Sequence, residues 1–101
     1  MIERGKVIFV GGVRRGVSTR TGQQWCSQQF AIETIERSPR KICFQLFGED
    51  KISAAKLKEG EEVTISAWAE SHEYNGNWFT ELRVADVLDG QMSRFNLKLS
   101  L

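Results

Sequence analysis

Five large flat side chains and a scatter of arginines are the residues of this chain best equipped to recognise a ligand. Trp25, Phe47, Trp68, Tyr74 and Phe79 fall on alternating runs, on the parity opposite to the apolar one. Exposed rings of this kind stack nucleobases, at about 1–3 kcal/mol per base and with little sequence preference. Arg14, Arg15 and Arg20 sit in a stretch rich in Gly, Ser and Thr, and Arg37, Arg40 and Lys41 surround the chain's single proline, Pro39. Guanidinium and ammonium groups there neutralise phosphate, and arginine also stacks. Bond-breaking chemistry finds no comparable set. His72, flanked by Glu70 and Glu73, is the only histidine. No nucleophile motif and no glycine-rich phosphate loop ahead of a helix accompanies it. Cys26 and Cys43 with one histidine are too few ligands for zinc. They read as two reduced thiols at or near the core. No catalytic residue, metal or cofactor is assigned, and an enzyme is not expected.

The elements that must position these side chains are mostly strands. Val63–Val87 holds two alternating runs joined by Asn75-Gly76, the strongest short-range signal for a tight hairpin. On the first run Val63, Ile65, Ala67 and Ala69 share the face taken as core. Trp68, Glu70, His72 and Tyr74 then point outward. On the second run Trp78, Leu82 and Val84 share the inner parity, so Trp78 is expected to be packed or at the base of the turn. Phe79, Glu81 and Arg83 lie outside. Ile2–Val13 is β-branched and reads as a first strand, bent at Gly11-Gly12, and Arg14–Gln24 as a flexible basic loop. Trp25–Ile35 is a second strand, with Phe30 and Ile32 inward and Trp25 on the other face. Arg40–Gly48 is a third, with Ile42, Phe44 and Leu46 inward. Phe9, Phe30 and Phe44 are expected in the core. Glu49–Leu57 favours a short helix, with acidic residues near its start and Ile52, Ala55 and the Lys56 stem facing inward.

A chain of 101 residues makes one domain. Its 41% hydrophobic and 27% charged residues are ordinary for a globular protein. No apolar run approaches the roughly 20 residues that span a bilayer. The opening Met1–Gly5 lacks a secretion-signal layout, so a cytoplasmic protein without membrane attachment is expected. The net charge of +1 hides a gradient. Met1–Leu46 carries eight basic and three acidic residues, and Phe47–Leu101 six and ten, so the halves are +5 and −4. Local potential, more than total charge, is what a polyanion meets.

Three strands, a helix and two strands match an all-β, five-stranded OB-fold, a partly open Greek-key barrel with one short helix between strands three and four. Residues 1–88 are assigned to this domain. Residues 89–101 form an extension, either an added strand or a tail.

Two segments also carry a family resemblance. Lys6–Val13 is similar to the first strand of the bacterial OB-fold single-stranded DNA-binding proteins. Cys43–Gly48, the helix and Leu57–Ile65 resemble that family's third strand, helix and fourth strand. The likeness covers about 85 residues, through the fifth strand. A compact SSB-like branch with Gly-Gln-x-Trp, x-x-Gln-x-Phe and Glu-Tyr-Asn-Gly-x-Trp is closer still; the motifs stand here at Gly22 to Phe30 and Glu73 to Trp78. The resemblance implies base stacking at Phe47 and Tyr74. Two further stacking positions, usually tryptophan, fall near Glu36 and on Lys41, and this chain offers Trp25 and Trp68 instead. The family's acidic, glycine-rich tail has no counterpart in Ser93–Leu101. Dimers or tetramers, built partly through the first strand, are also implied.

The combined expectation is sequence-tolerant binding of single-stranded DNA, with RNA as a further candidate, in replication, recombination or repair. The alternative is an OB-fold protein-interaction or oligomerisation module with weak or no nucleic-acid binding. Oligosaccharide binding is a third reading, since the same fold face also takes sugars.

Overall fold

The computed structural model describes residues 1–95. Seven elements follow in order: β1 (Ile2–Val17), β2 (Gln24–Thr34), β3 (Lys41–Phe47), α1 (Glu49–Ala55), β4 (Glu62–Tyr74), β5 (Asn77–Asp89) and β6 (Met92–Ser93). The sheet order is β3-β2-β1-β4-β5-β6, and a parallel contact of β3 with β5 at Gln45 and Arg83 closes it. This is the five-stranded OB-fold barrel expected from the sequence, with the helix between β3 and β4.

Alternation decides what fills the barrel. Val7, Phe30, Ile32, Phe44, Leu46, Val63, Ile65, Ala67, Val84 and Val87 are buried together, and Ala55 of α1 plugs one end with Ile52 packed beside it. Phe30 and Phe44 stack at 5.5 Å between centroids. Burying an aliphatic or phenyl side chain of this size contributes about 1.5–3 kcal/mol, which is why the alternating strands collapse on this face. Lys56, expected to lay its stem inward, is exposed; it ends the helix in the left-handed conformation, at φ 44°.

Closing the barrel requires β1 to serve two neighbours, and Gly5 makes that possible. It is in register with Thr34 of β2 and with Val63 of β4. A Cβ there would lie 2.5 Å from the Glu33 carbonyl oxygen, so no side chain fits. Register shifts between Val7 and Phe9 and between Val10 and Val13 then turn Phe9 outward, opposite Ala31. Phe9 is 46% exposed and does not join the core as expected. A one-residue slip exchanges the two faces of a strand.

Two further expectations are corrected. β1 does not stop at Val13 but runs to Val17, paired with β2 as far as Gln24. Arg14 and Arg15 are therefore strand residues, and the basic loop shrinks to residues 18–23. Ala69, expected in the core, is exposed; Trp78 stands at the base of the turn, one of the two places expected for it, and is 69% exposed there. Both keep the inner parity, but the β4–β5 hairpin outruns the barrel. Core packing ends at Ala67, Leu82 and Val84, and beyond them the hairpin is a two-stranded arm with no layer beneath it among the described residues. At its tip Asn75 and Gly76 have φ of 51° and 80°, as a type I′ turn requires. In β5, Ser66 faces Asp86 while Ala67 faces Val84. The unpartnered Ala85 is a bulge, and it lets Val84 and Val87, three apart, both point inward.

β6 folds back on β5, with Leu88 opposite Ser93 and Asp89 opposite Met92. The Arg94 guanidinium donates to Asp89, Glu61 and the Ala55 carbonyl, and Phe95 packs against the core. The rest of the C-terminal ending, residues 96–101, lies outside the described residues. No helix among the described residues is long and apolar enough to cross a membrane.

Candidate nucleic-acid interface

The outer face of the barrel is the set of positions that alternation leaves after the core is filled. On β2 it comprises Trp25, Ser27, Gln29, Ala31 and Glu33, and on β3 Lys41, Cys43, Gln45 and Phe47. On the arm it comprises Trp68, Glu70, His72 and Tyr74 of β4, opposite Arg83, Glu81, Phe79 and Asn77 of β5.

Four of these side chains, contributed by four strands, make one row. Trp25 stands at the β1 side, against Gly16: a Cβ on Gly16 would lie 2.5 Å from the indole Cζ2, so the ring rests on bare backbone. Ser27 next along β2 faces Phe47. The Arg83 guanidinium lies over the Phe47 ring at 4.5 Å. Trp68 is the direct cross-strand partner of Arg83. Carboxylates fix the far end: Glu70 accepts from Trp68 Nε1 at 3.1 Å and pairs with Arg83 at 3.2 Å, while Glu81 stands 3.7 Å from Arg83 Nε. Lys51 of α1 reaches over Trp68, its Nζ 5.9 Å from the ring centroid. Trp25 and Trp68 are about two-fifths exposed, and Phe47 is half-buried.

Beside Trp25 and Phe47 opens a cavity of about 720 Å³, lined also by Arg15, Gln24, Cys26 and Glu49. Arg15 is on the parity of Cys26 rather than of Trp25, so it turns toward the helix start. There it holds Glu49 by two hydrogen bonds, of 2.6 and 3.1 Å, and Cys26 Sγ donates to the same carboxylate at 3.3 Å. The Arg15 hydrogen bonds, then that of Cys26, hold the Glu49 carboxyl below its ordinary range. Burial, then Glu49, pushes the Cys26 thiol up.

The remaining residues singled out in the sequence divide by position. Arg14 faces outward opposite Ser27, in line with Phe47, and Arg20 is at the β1–β2 turn; neither has a carboxylate partner among the described residues. Tyr74 and Phe79 are exposed on the arm, away from the row, and Phe79 stacks on His72 at 5.6 Å. Tyr74 is six positions along the strand from Trp68, about 20 Å. Arg37, Arg40 and Lys41 lie at the opposite end of β2 and β3 from Trp25 and Phe47, a similar distance away. Arg40 is held there by Glu3 at 2.9 Å and Glu36 at 2.7 Å, and Lys41 stands opposite Glu33.

Arg83 and Lys51 belong to this surface although neither was singled out. Arg83 was legible as an outward strand residue. Its place over Phe47 depends on barrel closure, which pairs strands far apart in sequence. Ion pairing also redraws the charge gradient: Arg4 with Glu62 at 3.1 Å, and Arg15 with Glu49, join the basic half to the acidic half. Among the described residues no group of three metal-ligating side chains comes together.

Comparison with known proteins agrees with this architecture. Residues 3–87 match the family model described as domain of unknown function DUF3127, which is not the model of the bacterial single-stranded DNA-binding proteins. Among solved structures, the mitochondrial single-stranded DNA-binding protein Rim1 of S. cerevisiae is similar. It superposes with a TM-score of 0.62 at 16% identity, over 87% of this chain and 90% of that one. A search of curated proteins finds no match.

Proposed function

The chain belongs to the DUF3127 family, and we propose that it binds single-stranded DNA across the outer face of its barrel, without strong sequence preference. The observation that carries this reading is the row Trp25, Phe47, Arg83 and Trp68. Flat faces from four strands are lined up where the fold leaves a shallow surface, with Arg14, Arg20 and Lys51 beside them. Bases stack on the rings and on the guanidinium plane, and the unpaired cations track phosphates. The SSB-like fold shared with Rim1 supports the reading. Such binding needs no catalytic group, cofactor or metal, and it serves processes that expose single strands: replication, recombination and repair.

Titrating intrinsic tryptophan fluorescence with oligo(dT) at two salt concentrations tests it. Quenching at micromolar protein in low salt, weakened by added salt, is expected. Unchanged emission would sink the proposal. An oligo(U) competitor arm decides whether RNA is taken equally, since stacking alone reads only base faces.

Self-association into a dimer or tetramer is part of the same proposal. The apolar Ile8, Phe9 and Val13, exposed on β1, support it. The protein-interaction alternative rests on a separate observation, the acidic arm. Its Tyr74 and Trp78 are exposed on opposite faces between Glu70, Glu73 and Glu81, a poor setting for phosphate. Light-scattering mass of Tyr74→Ala and Trp78→Ala against their DNA affinity separates the two: loss of assembly with unchanged affinity assigns the arm to protein contact.

A further inference from the structure

We infer that one base of the bound strand is inserted between Trp25 and Phe47, rather than each ring stacking a separate base. The inference rests on the single-strand reading above and deepens it. Both rings line the same cavity of about 720 Å³, within the 300–1,000 Å³ or so that small-ligand sites occupy. Each ring is also braced by a neighbour, and Gly16 lines the cavity together with Trp25. Trp25 is backed by the Gly16 main chain, and Phe47 by the Arg83 guanidinium at 4.5 Å.

Register sets the width of the gap. Phe47 is the cross-strand partner of Ser27, which places it diagonally to Trp25, two residues back on the same face of β2. Diagonal neighbours on antiparallel strands stand about 7–8 Å apart. Each stacking interval takes about 3.4 Å, so a base between two rings needs about 7 Å. The diagonal spacing therefore accepts a single base and is too wide for the rings to stack on each other. β3 ends at Phe47 and the chain turns away through Gly48 into α1, which leaves the slot open at the edge of β2. Gln24 and the Arg15–Glu49 pair stand at the same opening, where the edge of an inserted base would meet donors and acceptors.

Coupling between the rings distinguishes a slot from two independent platforms. Anisotropy of fluorescein-labelled oligo(dT) would be measured for wild type, Trp25→Ala, Phe47→Leu, the double variant, and Trp68→Ala alone and combined with Trp25→Ala. Melting temperature and far-ultraviolet circular dichroism monitor the fold, and Phe47→Leu keeps the apolar volume. Each single substitution is expected to lower affinity about 5- to 150-fold. A slot predicts that the Trp25/Phe47 double variant loses little beyond the worse single one, whereas Trp25→Ala and Trp68→Ala multiply. Multiplying losses for Trp25 and Phe47 overturn the slot while leaving single-strand binding intact. Failure of the wild-type protein to bind overturns the underlying reading instead. Gly16→Ala is the second route: a Cβ there must displace the indole, so affinity should fall as in Trp25→Ala with every ring retained. An oligo(dT) carrying one 2-aminopurine should be quenched by the wild type and by Trp68→Ala, and not by Gly16→Ala. Equal quenching by Gly16→Ala and wild type also overturns the slot.

Discussion

Replacing Arg14 and Arg20 together by alanine should flatten the salt dependence of DNA binding, whereas replacing Arg15 should hardly change it. Five arginines of the described residues are already held by carboxylates: Arg4, Arg15, Arg40, Arg83 and Arg94. A cation so neutralised releases few counterions when a phosphate arrives. Near the aromatic row the cations without an acidic partner are Arg14, Arg20 and Lys51. Single-stranded nucleic acid contributes a slope of about −0.7 per neutralised phosphate in a plot of log affinity against log salt. Three contacts give about −2.1, or roughly a 20-fold loss of affinity between 50 and 200 mM salt. Removing two leaves about −0.7, or a roughly threefold loss over the same range. Fluorescence anisotropy with labelled oligo(dT) at five or six salt concentrations measures both slopes. An unchanged slope in the Arg14/Arg20 double variant would refute the assignment of phosphates to these residues. A slope as reduced in Arg15→Ala as in the double variant would refute the argument that Glu49 neutralises Arg15.

Three further outcomes follow from the packing and the ion pairs. Gly5→Ala should lower the urea midpoint by the equivalent of about 1–3 kcal/mol, the usual effect of overpacking, because its Cβ meets the Glu33 carbonyl; a midpoint within error of wild type would contradict the close approach. Glu36, held by Arg40 and Thr34, Glu49, held by Arg15 and Cys26, and Asp89, held by Arg94, all titrate below their ordinary 4.5, 4.5 and 3.8 in the folded state. Their stabilisation is therefore present above those values and lost as pH falls through the lower folded ones. Urea midpoints should fall with acidification below about pH 4.5, and less so in Arg40→Ala; an equally steep fall there would exclude the Glu36 contribution. With a thiol reagent at pH 8, exposed Cys43 should react quickly and Cys26, buried and pushed up in pKa, slowly; two equal rates would show that Cys26 is open.

Much of the architecture was legible because strand physics is local. Alternation in Trp25–Ile35 and Arg40–Gly48 placed Phe30, Ile32, Phe44 and Leu46 inside, and Asn75-Gly76 marked the hairpin, as the structure bears out. Errors came where a strand changes face or runs out of neighbours. Phe9 had the composition of a core residue, but a register shift turned it out. Ala69 had the inner parity, but parity says which side a residue takes and not whether anything lies there.

By itself, the sequence determined the order of elements, the sided pattern of each strand and the supply of rings and cations, all set by neighbours within a few residues. Tertiary structure alone decided which of those side chains meet. Barrel closure at Gln45 and Arg83 laid a β5 guanidinium on a β3 ring. The β1–β2 ladder carried Arg15 to Glu49 and set Trp25 on Gly16. Such contacts join residues nine or more positions apart, and their geometry follows from register and bulges. Local propensity does not encode either.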